Sequence, residues 1–258
     1  MCDSSEKILE CSNLTKEFST KNGIVRAVDG VSLSIKKGEC YGLVGESGSG
    51  KSTLGNLICA LENPDSGTII FEGKEIFASP KKIPKDFRRK MQIIFQDPYA
   101  SLNPKHKIGY IIGEGLKIHK IGKNSEERRR LVNEMRTLVA LPSDCLDKYP
   151  SELSGGQRQR VAIASSMILK PDFLVCDECV SSLDVIVQSQ ILDLLQKMQK
   201  SFKLTYLFIS HNLSVVSFLA DRIGVMYNGK IVEEKPAKEL LKSPEHPYTK
   251  KLLESAGL

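Results

Sequence analysis

The stretch Gly45-Glu46-Ser47-Gly48-Ser49-Gly50-Lys51-Ser52, followed by Thr53, sets the fold class of this 258-residue chain. It matches the pattern G-x-x-x-x-G-K-[ST] and lies between an apolar run and a segment with helical periodicity. Glycines at this spacing let successive backbone N–H groups converge on phosphate oxygens at a helix N-terminus, where the helix dipole favours an anion. The stretch therefore predicts a phosphate-binding loop for a nucleoside triphosphate. In this loop Lys51 would reach the β- and γ-phosphates, and the Ser52 hydroxyl would ligate Mg²⁺.

Two adjacent carboxylates follow another apolar run, residues 173–176, further along the chain. Asp177 is placed to hold the coordination shell of Mg²⁺, and Glu178 is placed to orient or deprotonate the water that attacks the γ-phosphorus. An Asp-Glu pair at a strand end is by itself common on protein surfaces. The phosphate-binding loop upstream is what favours the catalytic interpretation.

A third motif, Leu153-Ser154-Gly155-Gly156-Gln157, lies between the loop and the carboxylates. A serine-glycine turn that opens a helix predicts a further phosphate contact at a helix N-terminus. Because that phosphate must come from elsewhere, the motif implies that the active site is incomplete in one copy. Function is therefore expected to depend on dimerisation.

Short apolar runs alternate with helical patterns along most of the chain. The runs typical of strands are residues 8–11, 31–35, 40–44, 68–71, 91–95, 173–176 and 204–210. Together with helical patterns at residues 53–61 and 185–200, they predict an α/β fold with a largely parallel sheet and flanking helices. Proline and glycine recur in the region after Asp97. Ser125 is predicted to cap a charged helix over residues 125–141. This region is interpreted as a helical insertion, because strand and helix alternation resumes after it.

The composition narrows the function classes. The net charge of +6, from 37 basic and 31 acidic residues, is modest. The basic runs are Lys81-Lys82, Arg88-Arg89-Lys90 and Arg128-Arg129-Arg130, and no aromatic residues alternate with them to stack bases, so no nucleic-acid partner is expected. Seven scattered cysteines predict free thiols in a reducing compartment, with no metal role for Cys176 and Cys179. No apolar stretch has the length or position of a signal peptide or membrane helix, so a cytoplasmic protein is expected unless a partner holds it at a membrane.

Taken together, these motifs resemble the ATP-binding subunits of ABC transporters, over nearly the full length of the chain. The resemblance implies a P-loop NTPase (RecA-like) core with an N-terminal antiparallel β-subdomain and an inserted α-helical subdomain. It implies one domain over residues 1–258, with the core at 1–96 and 161–230, the helical subdomain at about 97–160 and a C-terminal segment at 231–258. The implied substrate and cofactor are ATP and Mg²⁺.

The resemblance also assigns roles to single residues. Ser154, Gly155 and Gly156, in the signature with Gln157, would contact the γ-phosphate of ATP bound on the other subunit. Gln96 resembles the Q-loop glutamine that senses Mg²⁺ and the γ-phosphate. His211, after Phe208-Ile209-Ser210, resembles the switch histidine that contacts the γ-phosphate. Asp184, in Ser181-Ser182-Leu183-Asp184, resembles the D-loop aspartate at the dimer interface. Phe18 is the expected adenine-stacking aromatic, and a core phenylalanine at a strand end is the alternative.

A narrower resemblance is to the oligopeptide, dipeptide and nickel importer ATPases. It rests on the Q-loop run FQDPYASLNP at residues 95–104, on GLVGESGSGKSTLG and LTYLFISH, and on His246-Pro247-Tyr248-Thr249. In that family the Q-loop segment receives a coupling helix of the membrane subunit, so the segment that begins at Pro98 and ends at Pro104 is the candidate docking surface. Cys179, Ser182 and Asn212 depart from the usual proline, alanine and aspartate, and none of them removes a catalytic side chain.

The resemblance implies an ATP-hydrolysing importer subunit at the cytoplasmic face of the membrane. Its implied partners are a second ATP-binding subunit, two membrane-spanning permease subunits and an extracytoplasmic solute-binding protein. A paralogue is favoured over a second copy as the ATP-binding partner. The transported solute stays open between peptides, nickel and metallophores, with modest weight toward the last two because the chain ends soon after HPYTKKLL. The alternatives are a non-transport ABC ATPase of the DNA-repair or translation type and, less favoured, a P-loop kinase or GTPase.

Overall fold

A computed structural model describes residues 6–21, 23–77 and 83–257 of the chain. The strands are β1 (Lys7–Thr20), β2 (Gly23–Lys36), β3 (Cys40–Val44), β4 (Ser66–Phe71), β5 (Lys74–Glu75), β6 (Met91–Ile94), β7 (Phe173–Asp177), β8 (Thr205–Ser210), β9 (Arg222–Tyr227) and β10 (Lys230–Pro236). The helices are α1 (Lys51–Ile58), α2 (Lys85–Lys90), α3 (Pro98–Ser101), α4 (Ile108–Ile118), α5 (Ser125–Leu138), α6 (Gly155–Met167), α7 (Val185–Phe202), α8 (Leu213–Leu219), α9 (Ala237–Lys242) and α10 (Pro247–Ser255). Short 3₁₀ helices cover Ser143–Asp147 and Pro150–Glu152. The basic run Lys81-Lys82 lies outside the described residues.

The chain forms two compact units, one from Met1–Pro84 and Lys203–Leu258 and the other from Lys85–Phe202. The first unit contains an antiparallel sheet with the strand order β2-β1-β4-β5. Leu9, Cys11 and Leu14 of β1 are buried, while the outer halves of β1 and β2 are largely exposed. The strands therefore continue beyond the apolar runs that predicted them. This sheet confirms the predicted N-terminal antiparallel part of the fold.

The first unit also contains the strands that carry the phosphate-binding loop. β3 lies between β8 and β9 and runs parallel to both, and β10 is antiparallel to β9. Every residue of β3 and β8 is buried, which is expected of parallel strands covered on both faces. The parallel register pairs Val44 with Ser210. The carboxyl ends of β3 and β8 consequently lie side by side.

The second unit contains the parallel pair β6 and β7 together with helices α2 to α7. Met91 pairs with Phe173 and Ile94 pairs with Cys176, so these two strands also end side by side. The helix predicted to be capped by Ser125 is capped instead by the residue before it. Asn124 accepts a hydrogen bond from the backbone N–H of Glu127 at 2.8 Å. The prediction of Ser125 was wrong because Asn124 has the extended backbone of an N-cap, while Ser125 is already helical.

The described cysteines, Cys11, Cys40, Cys59, Cys145, Cys176 and Cys179, are buried free thiols. In the ranges 6–21, 23–77 and 83–257, no helix has the length and apolarity that crossing a bilayer requires. The predicted boundaries of a core and a helical subdomain at residues 97–160 stay a prediction.

A partly buried ionic network ties β9 to its neighbours in the first unit. Arg222 donates through Nη1 to Oε1 of Glu39 at 2.9 Å and pairs through Nη2 with Glu234. The Tyr41 hydroxyl donates to the other oxygen of Glu234 at 2.6 Å. Burial works against the charge of Arg222, but the hydrogen bonds and charges of Glu234 and Glu39 outweigh it and raise the pKa of the guanidinium. The network fixes the strand next to β3, and thereby the strand that leads into the phosphate-binding loop.

Replacing Arg222 by methionine is expected to lower the free energy of unfolding by about 3 kcal/mol. The cost arises because the carboxylate of Glu39, only 7% exposed, would lose its charged partner. Urea denaturation of the full chain measures the change. Arg130→Met is the matched control, since its pair with Glu134 is exposed on both sides, and a change within about 0.5 kcal/mol is expected there. Equal losses in the two variants would contradict the assignment.

Candidate nucleotide site

The predicted phosphate-binding loop joins the end of β3 to the start of α1. The Lys51 side chain folds back over the loop, and its Nζ donates to the carbonyl oxygens of Gly45 and Glu46, each at 2.8 Å, and to Oγ of Ser49 at 3.3 Å. Lys51 is 4% exposed, so its ammonium is held close to the loop backbone. This arrangement keeps a positive charge at the N-terminus of α1, where the helix dipole also favours an anion.

At two positions of the loop, neighbouring backbone lies so close that only glycine fits. A Cβ added at Gly50, whose φ is +105°, would lie 2.0 Å from the carbonyl oxygen of Ala27. A Cβ added at Gly45 would lie 2.2 Å from the carbonyl oxygen of Met226. The loop is also tied to the β9–β10 turn, because the N–H of Gly229 donates to the carbonyl of Ser49 at 3.0 Å. Close contacts with the surrounding backbone therefore fix the conformation of the loop.

His211 leaves the sheet at the same edge as the phosphate-binding loop. It directly follows Ser210, which pairs with Val44, and Val44 directly precedes the loop. The next residue, Asn212, caps α8 by accepting hydrogen bonds from the N–H groups of Ser214 and Val215. Asparagine and aspartate are about equally good caps, which explains why Asn212 replaces the usual aspartate here without structural loss.

Phe18 lies on β1 of the same unit, opposite Val25 of β2. Its ring is 38% exposed, and the ammonium of Lys16 lies 5.5 Å from the ring centroid. The ring is thus accessible to a stacking partner and is not part of the core. This favours the adenine-stacking interpretation over the alternative of a core phenylalanine.

In the second unit the structure brings Gln96 and Glu178 into contact. Nε2 of Gln96 donates to Oε2 of Glu178 at 2.9 Å, although the two residues are 82 positions apart. The parallel register explains the contact, since Ile94 pairs with Cys176 and each site residue follows two positions later. The hydrogen bond holds the carboxylate predicted to activate water. It also turns Oε1 of Gln96 away from Glu178.

The backbone of Glu178 has an unusual conformation for a residue with a side chain. Its φ is +46°, in the left-handed region, which costs on the order of 1 kcal/mol or more for a residue other than glycine. The N–H and hydroxyl of Ser181 both donate to the carbonyl of Glu178, at 3.1 and 2.9 Å, and stabilise the turn. Cys179, where proline is usual, is 1% exposed. The turn projects the Glu178 carboxylate out of the strand while Cys179 packs inward.

The residues predicted to hold Mg²⁺ carry the donor atoms that this cation prefers. These are the Ser52 hydroxyl at the start of α1, the amide oxygen of Gln96 and the carboxylate of Asp177 at the end of β7. Mg²⁺ is bound in proteins by oxygen ligands, and in phosphoryl-transfer sites it usually takes only one or two carboxylates. The donor set fits the cation.

The signature serine caps helix α6 through a reciprocal pair of hydrogen bonds. Oγ of Ser154 accepts from the N–H of Gln157 at 3.3 Å, and Oε1 of Gln157 accepts from the N–H of Ser154 at 3.0 Å. Ser154 and Gly155 are exposed, so an incoming group can reach this helix end. A Cβ at Gly156 would lie 2.6 Å from Cγ1 of Val187, so glycine permits close packing against α7.

Asp184, the predicted D-loop residue, caps α7. Its Oδ1 accepts from the N–H of Val187 at 3.0 Å, and its carbonyl accepts from Gln188 at 2.8 Å. Val185 and Ile186 follow with 80% and 73% exposure. Two such exposed aliphatic residues in succession are consistent with a surface that another subunit covers.

The predicted docking segment from Pro98 to Pro104 begins with the short helix α3. Asp97 caps it by accepting from the N–H of Tyr99 at 2.8 Å. Leu102 is buried, while the Tyr99 ring is exposed and the guanidinium of Arg158 lies 4.9 Å from its centroid. The segment is therefore anchored by the Asp97 cap and by Leu102, and it presents an aromatic ring to solvent.

One contact of the loop is not predicted by the sequence. The N–H of Glu46 donates to the hydroxyl of Tyr248 at 2.8 Å, across 202 positions of sequence. In the sequence, Tyr248 is distinguished only as part of the motif His246-Pro247-Tyr248-Thr249. That motif was the one available signal, and it does not reveal which residue the hydroxyl contacts.

The family model described as ABC transporter matches residues 28–181, from before the phosphate-binding loop to the turn after Glu178. The oligopeptide transport ATP-binding protein OppF of Bacillus subtilis is 50% identical over 256 residues, which is 98% of this chain and 84% of that protein. The chain belongs to the ABC transporter family.

Other proteins similar to this ABC ATPase support the same family. The oligopeptide transport ATP-binding protein AmiF of Streptococcus pneumoniae is 46% identical over 98% of this chain and 83% of its own length. The structure of cbiO1 from Clostridium perfringens, part of the ABC transporter complex cbiONQ, has a TM-score of 0.80 at 30% identity and covers 92% of each chain. A dimeric ATP-binding cassette in a post-hydrolysis state with ADP and Pi has a TM-score of 0.79 at 28% identity, covering 89% of this chain and 98% of the other.

These similarities confirm the predicted family and fold class. The chain is an ATP-hydrolysing subunit of the ABC importer type, and the hydrolysis is coupled to transport. The alternative of a non-transport ABC ATPase is not favoured, because the relatives that match 98% of this chain are named as transport ATP-binding proteins.

Proposed function

We propose that this ABC ATPase powers the uptake of oligopeptides through partner membrane subunits. The identity of 50% to an oligopeptide transport ATP-binding protein over almost the whole chain carries the choice of solute. It outweighs the modest expectation of nickel or a metallophore, which rested on where the chain ends. The contact between Gln96 and Glu178 supports the hydrolytic role.

Binding of ATP is assigned to the first unit. The backbone of residues 45–50 and the ammonium of Lys51 hold the phosphates, with Ser52 and Thr53 at the start of α1. The exposed ring of Phe18 stacks on adenine, in the manner that exposed aromatic faces allow. His211, which leaves the sheet beside the loop, contacts the γ-phosphate.

Hydrolysis is assigned to Glu178, with Gln96 orienting its carboxylate. Glu178 polarises the attacking water and accepts a proton from it as the oxygen bonds to the γ-phosphorus, and the β–γ bridging oxygen leaves with ADP. Ser52, Gln96 and Asp177 would hold Mg²⁺, which would supply positive charge to offset that of the phosphates. The strained backbone of Glu178 restricts the directions in which the carboxylate can point.

The signature is assigned to the ATP of a second subunit. The exposed N-terminus of α6, with Ser154, Gly155, Gly156 and Gln157, is suited to bind a γ-phosphate from outside the chain. Asp184 and the exposed aliphatic residues after it cover the same interface. A paralogous ATP-binding subunit is the proposed partner, in preference to a second copy.

The membrane partners are two permease subunits, which dock at the segment from Pro98 to Pro104. The exposed ring of Tyr99, held near Arg158, is the proposed anchor for a coupling helix. The chain is then a peripheral protein at the cytoplasmic face of the membrane, and an extracytoplasmic solute-binding protein delivers the solute to the same system.

Reconstitution with the cognate membrane subunits in proteoliposomes tests the proposal. The solute-binding protein is added with a mixture of peptides of three to six residues, with NiCl₂, or with a nickel-metallophore complex. ATP hydrolysis is expected to be stimulated by the peptide mixture alone, and Lys51→Ala is expected to abolish the stimulation. Stimulation by nickel or the metallophore without peptide would overturn the choice of solute, and failure to assemble with membrane subunits would overturn the transport role.

A further inference from the structure

The contact between Tyr248 and the phosphate-binding loop involves a particular peptide group. The Gly45 carbonyl and the Glu46 N–H belong to the same planar peptide unit and point in opposite directions. The carbonyl accepts from Nζ of Lys51 at 2.8 Å, and the N–H donates to the Tyr248 hydroxyl at 2.8 Å. Tyr248 and Lys51 therefore hold the two ends of one peptide group.

Burial, a ring contact and a hydrogen bond hold the Tyr248 side chain and backbone in position. Tyr248 lies in the first turn of α10 and is 9% exposed, and its ring packs at a tilt of 33° against the ring of Tyr227 of β9, with 4.2 Å between centroids. Its own N–H donates to Nδ1 of His246 at 3.2 Å. Burial raises the pKa of the Tyr248 hydroxyl, which therefore stays protonated and neutral at physiological pH.

The start of α10 is anchored to β10 by charged groups. The Glu233 carboxylate accepts from the N–H groups of Glu245 and His246, at 2.8 and 3.0 Å. Lys235 donates to the Glu245 carboxylate at 2.7 Å and to the carbonyl of Ser243 at 2.9 Å. These bonds fix the C-terminal helix on the strand next to β9, so the Tyr248 hydroxyl is presented to the loop from a rigid support.

We propose that Tyr248 is a positioning residue of the nucleotide site, which orients the Gly45–Glu46 peptide and through it the ammonium of Lys51 for the phosphates of a nucleoside di- or triphosphate. The inference rests on the proposed nucleotide-binding role of the loop. Without the hydroxyl, the Glu46 N–H would lack this acceptor, and rotation of the peptide would move the carbonyl that holds Lys51. The C-terminal segment thus contributes to phosphate binding without touching the nucleotide.

The alternative is that Tyr248 only packs α10 against the first unit. The two roles differ in what Tyr248→Phe changes, because phenylalanine keeps the ring on Tyr227 and removes only the hydroxyl. A positioning role predicts weaker binding of phosphates that depends on Lys51. A packing role predicts lower stability with unchanged affinity of the folded protein.

The experiment is a double-mutant cycle in the full chain, with ADP affinity measured by titration calorimetry in Mg²⁺ buffer. Tyr248→Phe is expected to raise the dissociation constant for ADP by about three- to tenfold, the effect of one lost hydrogen bond. In the Lys51→Ala background the same change is expected to have less than about a twofold effect, since residues that act through one another are not additive. In ATPase assays Tyr248→Phe is expected to raise KM by a similar factor while kcat stays within about twofold of the wild type.

Tyr227→Phe is the matched control, because it removes a hydroxyl from the ring packed against Tyr248 and leaves the Glu46 contact intact. Its ADP affinity is expected to equal that of the wild type. If Tyr248→Phe is poorly folded by circular dichroism, Glu233→Gln serves instead, with a smaller loss of ADP affinity in the same direction. Unchanged ADP affinity in a folded Tyr248→Phe protein, or a loss that persists in full without Lys51, would overturn the inference. A wild-type chain that binds no ADP would instead overturn the nucleotide-binding role itself.

Discussion

Glu178→Gln is expected to lower the rate of ATP hydrolysis by a factor of about 10²–10⁴, the usual contribution of a general base. Glutamine has nearly the same shape as glutamate and can still hydrogen-bond to Gln96, but it cannot accept a proton from the attacking water. ATP binding through the loop and Lys51 is expected to be retained. Together with its partner ATP-binding subunit, the variant should therefore accumulate as a closed, ATP-bound dimer.

Phosphate release under saturating ATP measures the rate, and size-exclusion chromatography with multi-angle scattering measures the dimer. Glu134→Gln is the matched control, because it neutralises an exposed carboxylate on α5 and is expected to hydrolyse ATP like the wild type. Wild-type turnover in Glu178→Gln would remove Glu178 from the catalytic role. Loss of ATP binding would show that the carboxylate supports the fold of the site instead.

Ser154→Arg is expected to lower hydrolysis by about a hundredfold at the loop of the facing subunit, and to spare the loop of its own chain. Ser154 caps α6 and is exposed at the helix end, so arginine removes the cap and occupies the space that a γ-phosphate would take. The expected pattern follows from the proposal that one subunit's signature acts on the ATP of the other.

Vanadate trapping with a photoreactive ATP analogue distinguishes the two loops in a dimer of one tagged variant subunit and one untagged wild-type subunit. Label is expected on the tagged variant and absent from its partner. Ser151→Arg, which places the same side chain on an exposed residue three positions earlier, is the control and is expected to label both subunits. Label lost only from the variant's own loop would mean that the signature acts within its own chain.

Motifs that are contiguous in sequence were predicted with their local structure. The phosphate-binding loop was placed between a strand and a helix, and β3 and α1 confirm it, because glycine conformation, an apolar run and helical periodicity are all local signals. The cap of α5 was misplaced by one residue. Asparagine and serine are similarly good caps, so adjacent candidates such as Asn124 and Ser125 are separated only by backbone conformation.

Contacts between residues that are distant in sequence could not be predicted without the fold. Gln96 and Glu178 were assigned to one site by resemblance, but their hydrogen bond depends on the parallel register of β6 and β7, which no local pattern encodes. The left-handed backbone of Glu178 is likewise imposed by the turn that Ser181 closes. The packing of Gly156 on Val187 gives a reason for glycine there that differs from phosphate binding.

For this protein, residue order alone determined the family and the fold class, and it predicted the catalytic residues. Each of these depends on short sequence patterns whose chemistry can be recognised without the fold. Three-dimensional packing established how those residues are held: the Gln96 amide on Glu178, the Asn212 cap beside His211 and the Tyr248 hydroxyl on the loop. The physical reason is that a hydrogen bond requires its donor and acceptor within about 3 Å, a condition that strand register and helix placement satisfy and that separation along the chain does not reveal.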